Sequence, residues 1–335
     1  MKIGLTYDLK ETICPTSAGL DDSLEEYDSP ETIEAIETVF RAVGHDVIRL
    51  GGGKHFLQNI VDTRVDIVFN IAEGLGNHRS REAQVPAVLE MLDIAYSGSD
   101  AQSLAICLDK NVTKRLVASA GIRTPDWLFI NDKNGLAQLE NISPLLPAFV
   151  KPAYEGSSKG IRMGSRINTV IEASNLALRL LADYQQPVLI ERFIPGDEIT
   201  VGIIGNHNPR IVGIMRVLPK HGLDRFIYSL EVKRDWENIV DYECPAKLDK
   251  PTLNAIVEFS LQAYKTLGCR DFARVDFRLD LDNLPWFLEI NPLPGLNPYS
   301  SDLPIMAKKM GWHYQRLILT MLESALERYK QCVPV

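Results

Sequence analysis

Two apolar runs near the end of the chain, FARVDFRLD at 272–280 and PWFLEINP at 285–292, carry charged or amide side chains two positions apart. Side chains alternate across a strand, so Arg274 and Asp276 share one face of the first run, and Glu289 and Asn291 share one face of the second. The turn-prone DLDN at 280–283 joins the runs, which predicts an antiparallel pair that gathers all four residues. Two carboxylates and an amide oxygen among apolar neighbours are costly to bury unpaired. They suit one or two magnesium ions bridging nucleotide phosphates, with Arg274 placed to neutralise an oxygen during phosphoryl or acyl transfer; a structural salt-bridge network is the alternative.

The rest of the chain is large enough to build such a site between domains. Its 335 residues allow two or three domains, and 45% apolar with 24% charged residues is an ordinary globular composition. Subtracting 44 acidic residues from 36 basic ones leaves a charge of -8, which disfavours nucleic acid as a partner and still permits basic pockets for a nucleotide. The five cysteines, Cys14, Cys107, Cys244, Cys269 and Cys332, are odd in number and widely spaced, a pattern that suggests neither a zinc site nor a disulfide framework. No stretch approaches the ~18 apolar residues of a membrane span, and the first residues lack a signal-peptide core. A cytoplasmic protein with no membrane partner is expected.

Periodicity divides the chain into zones. A strand at 2–7, a helix from Ser29 or Pro30 to Val43 stopped by Gly44, strands at 46–50 and 65–70 and a helix at 82–92 predict a parallel sheet covered by helices. One helix is expected from Asp100 through Ser119, ahead of the turn-prone TPDW. Shorter units follow: WLFI at 127–130, PAFVKPA at 147–153, a helix at 169–183 and PVLIERFI at 187–194, the texture of an α+β unit. Strands ITVGII, RIVGIMRV and FIYSLEV, a helix at about 251–267, the charged strand pair and a closing helix at 314–329 complete the plan. Apolar helix faces in the first zone serve equally an intramolecular core or a homodimer.

KPAYEGSSKGI at 151–161 delivers Lys151 from an apolar strand into a loop of small residues. Gly156 and Gly160 permit tight turns, and Ser157, Ser158 and consecutive amides can donate to phosphates; an ordinary surface hairpin is the alternative, and the segment is no Walker loop. Glu191 and Glu198 suit an adenosine ribose, the metal side or a solvated hairpin rim. Lys110 reads as an exposed helix lysine unless domains fold over one nucleotide. Lys233 lies in a charged, aromatic stretch that serves as an active-site flap or as a lid without chemistry.

Together these segments resemble the D-alanine:D-alanine ligases of the ATP-grasp superfamily over nearly the whole length. The resemblance runs through YSGSDAQSLAICLDKNVTK, FVKPAYEGSSKG, IERFIPGDEITV, YECPAKL, LGCRDFARVDFRLD and FLEINPLPGLNPYS. It implies a mixed α/β and α+β, three-domain ATP-grasp fold with an N-terminal parallel-sheet domain, divided at about 1–109, 110–202 and 203–335. It also implies ATP-dependent ligation of a carboxylate to an amine through an acyl phosphate, in the service of peptidoglycan synthesis. Lys110, Lys151 and Lys233 correspond to phosphate and nucleotide contacts, Glu191 and Glu198 to adenosine-side acids, and Asp276, Glu289 and Asn291 to ligands of two magnesium ions, with manganese as a substitute. Ser157, beside Ser158, belongs to the loop over the reacting phosphate. Arg274 and the Gly295 amide would stabilise the tetrahedral intermediate, and Ser300 would meet a substrate carboxylate.

The substrate end departs from the family pattern. TYDLKETICPTSAGLDDSLEEYDSP lacks the family's serine-glutamate motif, and FNIAEGLGNHRSREAQVP replaces a shorter loop, which makes Glu73, or the basic His78, Arg79 and Arg81, candidates for substrate recognition, with a solvated helix entry as the alternative. Arg234 stands where the family has a lid tyrosine. Three functions follow: joining two D-alanines, joining other amino acids or an amino acid and a small metabolite, or binding ATP as a non-catalytic regulator.

Overall fold

The computed structural model describes residues 1–13, 19–220 and 226–330, so Cys14 and Cys332 lie outside the described residues. The first sheet is parallel, in the order β2-β1-β3, from β1 (Lys2–Thr6), β2 (Asp46–Arg49) and β3 (Ile67–Asn70). Between β1 and β2 runs α1 (Pro30–Ala42), started by proline, whose missing N–H costs nothing at a first helical position. Its Ile33, Ile36, Val39 and Phe40 are buried against the sheet and belong to the intramolecular core. Helices α2 (Gly53–Asp62) and α3 (Gln84–Met91) follow β2 and β3.

The single helix expected from Asp100 to Ser119 is two, α4 (Ala101–Leu108) and α5 (Lys110–Ser119). Asp109 between them is extended, with φ -81° and ψ 95°, and its carboxylate accepts from the amides of Asn111 and Val112, both at 3.1 Å. An aspartate at this position offers the backbone an alternative to continuing the helix. The break sets Lys110 at the first turn of a new helix.

The second sheet is antiparallel, in the order β4-β7-β5-β6, from β4 (Trp127–Ile130), β5 (Ala148–Pro152), β6 (Arg166–Ile167) and β7 (Val188–Arg192). Helix α6 (Val170–Tyr184) covers it, started by a reciprocal cap between Thr169 and Glu172. The third sheet, also antiparallel, has the order β10-β9-β8-β11-β12, with β8 (Glu198–Ile204), β9 (Arg210–Pro219), β10 (Val240–Glu243), β11 (Phe272–Leu279) and β12 (Pro285–Asn291). The position expected for a domain join, near 202, therefore falls inside β8. FIYSLEV is not a strand: α7 (Leu230–Arg234) begins after Ser229, followed by α8 (Trp236–Ile239). Its alternating apolar residues face one packed core from an irregular segment and a short helix, burying Tyr228 and Val232 with Val240 and Tyr242.

Helix α9 (Lys250–Thr266) packs on the third sheet, and α10 (Asp302–Lys309) leads to the closing α11 (Tyr314–Lys330). The apolar face of α11, Leu317, Ile318, Met321 and Leu322, returns to the first sheet's core. Among the described residues no helix is long and apolar enough to cross a membrane, and Cys107, Cys244 and Cys269 carry free thiols.

The connection from β7 to β8 is tight at Gly196. A Cβ there would lie 2.2 Å from the carbonyl oxygen of Leu279, and Arg278 donates to the Gly196 carbonyl at 2.6 Å. Backbone cannot yield as a side chain does. Gly196→Ala is expected to cost about 1–3 kcal/mol of stability, measured as a lower denaturant midpoint; an unchanged midpoint would contradict this close approach.

Candidate active site

β11 and β12 pair with Arg274 opposite Asn291 and Asp276 opposite Glu289, so the strand periodicity brings the four expected residues together. On the other side of β11, β8 sets Thr200 opposite Asp276 and Glu198 opposite Arg278. Arg274 Nε lies 3.1 Å from both oxygens of Asp276, its Nη2 reaches the same carboxylate at 2.9 Å, and its Nη1 is 3.7 Å from Asp302. Lys110 Nζ is 3.3 Å from Glu289 and also donates to the Glu155 carbonyl. Burial pushes the Glu289 carboxyl up, but the charges of Lys110, Lys151, Arg274 and Lys233 outweigh it and hold the group down at about 2. For Asp276 burial prevails over Arg274, and its carboxyl is raised.

Arg274 and Asn291 face a neighbouring cavity, while Asp276, Glu289, Thr200 and Asp302 line an open cleft of about 770 Å³ between the second and third sheets. Its polar lining includes Lys151, Glu191, Glu198 and Lys233, and Phe149, Ile161, Phe193 and Ile227 contribute apolar surface. Such a mixture suits a flat aromatic group at one end and phosphates at the other. Both oxygens of Glu191 are engaged: Lys151 lies 2.6 Å from one and Lys114 2.9 Å from the other. Burial opposes ionisation of Glu191, the two lysines outweigh it, and the carboxyl is lowered. Burial also depresses Lys114, to about 8. Glu191 thus orients Lys151 toward the cleft. Glu198, raised to about 7 by burial, lies 3.4 Å from Arg278.

The loop after Lys151 folds into successive turns, Lys159 N to Gly156 O and Ile161 N to Ser158 O. The left-handed residues at its tip are Ser157 and Ser158, with φ of 48° and 60°. Gly156 is needed for a different reason, since a Cβ there would meet Glu26 Oε1 at 2.9 Å. Ser158 lines the cleft and Ser157 lines a second cavity of about 1270 Å³, whose walls also include Glu73, Arg234, Arg274, Asn291, Gly295 and Ser300. Lys233, Tyr228 and Asp302 line both spaces. The junction of the cleft and the second cavity is therefore the place where two bound molecules can meet.

Not every candidate faces that junction. Arg81 is 1% exposed: its Nη2 is 2.8 Å from each oxygen of Glu26, and its Nη1 donates to Tyr154 O at 2.6 Å. Lys159 adds a contact to Glu26 at 3.1 Å, and the Gly156 amide donates to the same carboxylate. Arg81 is thus part of the frame and not a substrate contact. Arg79 is largely exposed, 4.0 Å from Asp109. Arg234 is engaged by Asp21 and Glu25. Lys114, Arg278, Glu26, Tyr228 and Asp302 were missed from the sequence; Lys114 follows Lys110 by one helical turn and Arg278 continues the alternation of Arg274 and Asp276, so both had a signal.

Among the described residues no three His, Cys, Asp or Glu side chains converge as a metal cage. Asp276 and Glu289, opposed in register, instead offer two hard carboxylates, with Asn291 Oδ1 also accepting from Leu293 N at 2.8 Å. That donor set fits magnesium, which takes one or two carboxylates and completes its shell with phosphate oxygens and water.

The frame beneath the loop has a pH signature. Burial raises the Glu26 carboxyl, but Arg81 and Lys159 outweigh it and lower it from 4.5 to about 2. A depressed carboxyl contributes stability that is present above its unfolded value and lost as pH falls toward its folded value. Glu26→Gln is expected to flatten the loss of stability between pH 4.5 and about 2, followed by denaturant titration at each pH; an unchanged slope would contradict the ion pair.

Residues 116–323 match the family model described as D-ala D-ala ligase C-terminus, more than half of the chain. A D-alanine--D-alanine ligase of Aquifex aeolicus (strain VF5) is 34% identical over 291 residues, covering 87% of this chain and 93% of that protein. D-alanine--D-alanine ligase A of Bacillus cereus (strain ATCC 14579) is 33% identical over 272 residues, 80% of this chain and 84% of that one. In fold, the Bacillus anthracis D-alanine--D-alanine ligase complexed with ATP is similar with a TM-score of 0.74 at 23% identity, over 99% of each chain. The VanG D-Ala:D-Ser ligase from Enterococcus faecalis has a TM-score of 0.73 at 22% identity, over 97% of this chain and 99% of that one. With the family's sequence pattern spanning most of the chain and its fold covering all three sheets, this protein belongs to the D-alanine--D-alanine ligase family of the ATP-grasp superfamily.

Proposed function

We propose that this ATP-dependent ligase forms its amide bond in two steps at the junction of the cleft and the second cavity. A substrate carboxylate oxygen attacks the γ-phosphorus of ATP, the bond to the β,γ-bridging oxygen breaks, and ADP leaves. The amine nitrogen of a second substrate then attacks the acyl phosphate, loses a proton and expels phosphate. The observation that carries this reading is the opposition of Asp276 and Glu289 across β11 and β12, with Lys110 on Glu289 and Lys151 in the same cleft. No side-chain nucleophile is needed, because ATP supplies the activated leaving group.

In this scheme Lys110, Lys151 and Lys233 neutralise phosphate charge, and Ser157 and Ser158 hold the loop over the transferred group. Asp276, Glu289 and Asn291 would hold magnesium, two ions or manganese in their place, which supplies charge stabilisation to the phosphates. Arg274 and the Gly295 amide face the developing oxyanion, and Ser300, Glu73 and Arg234 belong to the substrate side. Glu198 contacts the ribose, while Glu191 contributes by holding Lys151. The three sheets support three units in the outline 1–109, 110–202 and 203–335, with the second join drawn back ahead of β8.

D-alanine is the first substrate to test, in keeping with the relatives, and peptidoglycan synthesis is the pathway that would follow. A second reading, ligation of other amino acids, is favoured by Arg234, which lines the second cavity at the place where the family has a lid tyrosine. The test is ADP release and product mass over D- and L-amino acids, singly and in pairs. ADP release that requires two amino acids is the expected result, and Glu289→Gln is expected to lower it by about 10²-fold or more. ATP binding without turnover on the whole panel would contradict ligation in favour of a regulator; full activity of the variant would contradict the role of Glu289.

A further inference from the structure

Two carboxylates that line the second cavity lack a partner among the described residues. The other acids within this cavity are answered by the protein itself: Arg234 lies 2.6 Å from Glu25, Arg81 2.8 Å from Glu26, and Arg274 and the Tyr228 hydroxyl approach Asp302 at 3.7 and 3.2 Å. Asp28 and Glu73 differ. Both face the cavity, and among the described residues neither side chain makes a hydrogen bond or an ion pair. Their places are set by the backbone. The Asp28 amide donates to the Asp8 carbonyl at 2.9 Å, and the Lys10 amide donates to the Asp28 carbonyl at 3.1 Å, which pins the residue ahead of α1 to the segment leaving β1. Glu73 stands just past the end of β3. In the order β2-β1-β3 the winding reverses between β1 and β3, and open parallel sheets take ligands in the crevice beyond the carboxyl ends of such a strand pair.

Burial raises both carboxyls. Asp28 is pushed up to about 8, with Asp8 adding repulsion and Lys10 opposing it from beyond ion-pair distance. Glu73 is raised by burial and by the charges of Glu82, Glu26 and Asp28, against Arg81, which Glu26 already holds. A carboxylate withdrawn from water without a cation is costly, and a ligand ammonium removes that cost. The α-ammonium of an ordinary amino acid answers one of the two carboxylates, and a methyl side chain leaves the other unanswered. We infer that one of the two amino-acid substrates is a diamino acid, whose two ammonium groups lie against Asp28 and Glu73 while its carboxylate points to Arg274 and the Gly295 amide at the junction. Asp28 and Glu73 are then specificity-determining residues, and the cavity, about 1270 Å³, has room for the longer side chain. This inference rests on the ligase reading and deepens its second form, the ligation of other amino acids.

The test measures ADP release by the full chain with ornithine and lysine against norleucine, the uncharged isostere of ornithine, and against alanine, each as D and L enantiomer and in pairs. Calorimetry of the same amino acids, with a non-hydrolysable ATP analogue and magnesium present, gives affinity apart from turnover. In kcat/KM a diamino acid is expected to exceed norleucine by about tenfold or more, the worth of one charge-assisted hydrogen bond. Glu73→Gln and Asp28→Asn are each expected to shrink that ratio by about tenfold, chiefly through KM, because norleucine has no second cation to lose. Norleucine or alanine used as well as the diamino acids, or a ratio that neither variant moves, would overturn the inference and leave ligation standing. No ADP release with any pair would overturn the ligase reading instead. Calorimetry would then still judge the cavity: tighter binding of ornithine than of norleucine supports the paired carboxylates, and equal affinity overturns them.

Discussion

The contact between Lys110 and Glu289 is the point on which the site depends. Lys110 opens α5, Glu289 lies on β12, and the same ammonium donates to the carbonyl of Glu155 at the start of the glycine and serine loop. One cation thus ties a helix terminus, the paired carboxylates and the loop to a common centre. It can do so only because Asp109 ends the preceding helix and redirects the chain. A continuous helix from Asp100 to Ser119 would carry that ammonium along a different axis.

Around that centre, charge is arranged in compensated groups. Lys114 and Lys151 share Glu191, Arg274 holds Asp276, and Arg278 faces Glu198. Buried charges of this kind add little net stability, because desolvation offsets most of their attraction. Their value here is geometric: cations and carboxylates are already oriented before a polyanionic ligand arrives, so little reorganisation is required when it binds. The low Glu289 carboxyl and the raised Asp276 and Glu198 carboxyls show how unevenly the field falls across a few side chains on three adjacent strands.

The charged strand pair was legible in the sequence because a two-residue period is a local property, and its partner strand was only a short turn away. The same reasoning found the parallel sheet and α11. It failed at Asp109, where apolar spacing continues across a break made by one residue's backbone angles, and at FIYSLEV, where alternation belongs to a loop and a short helix sharing one core. The pairing of Arg81 with Glu26 spans 55 positions, and no local pattern announces it. Most roles within the site came from the resemblance to a family and not from spacing; the geometry adds that Glu191 is a holder of lysines and that Arg234 is engaged by acids.

The proposed reaction passes a phosphoryl group from ATP to a substrate carboxylate. Its most direct test is the fate of a heavy-oxygen label placed in the carboxylate of the acyl-donating amino acid. Transfer of one labelled oxygen to inorganic phosphate, with ADP as the nucleotide product, is the predicted result. Label appearing in AMP, with release of pyrophosphate, would contradict it.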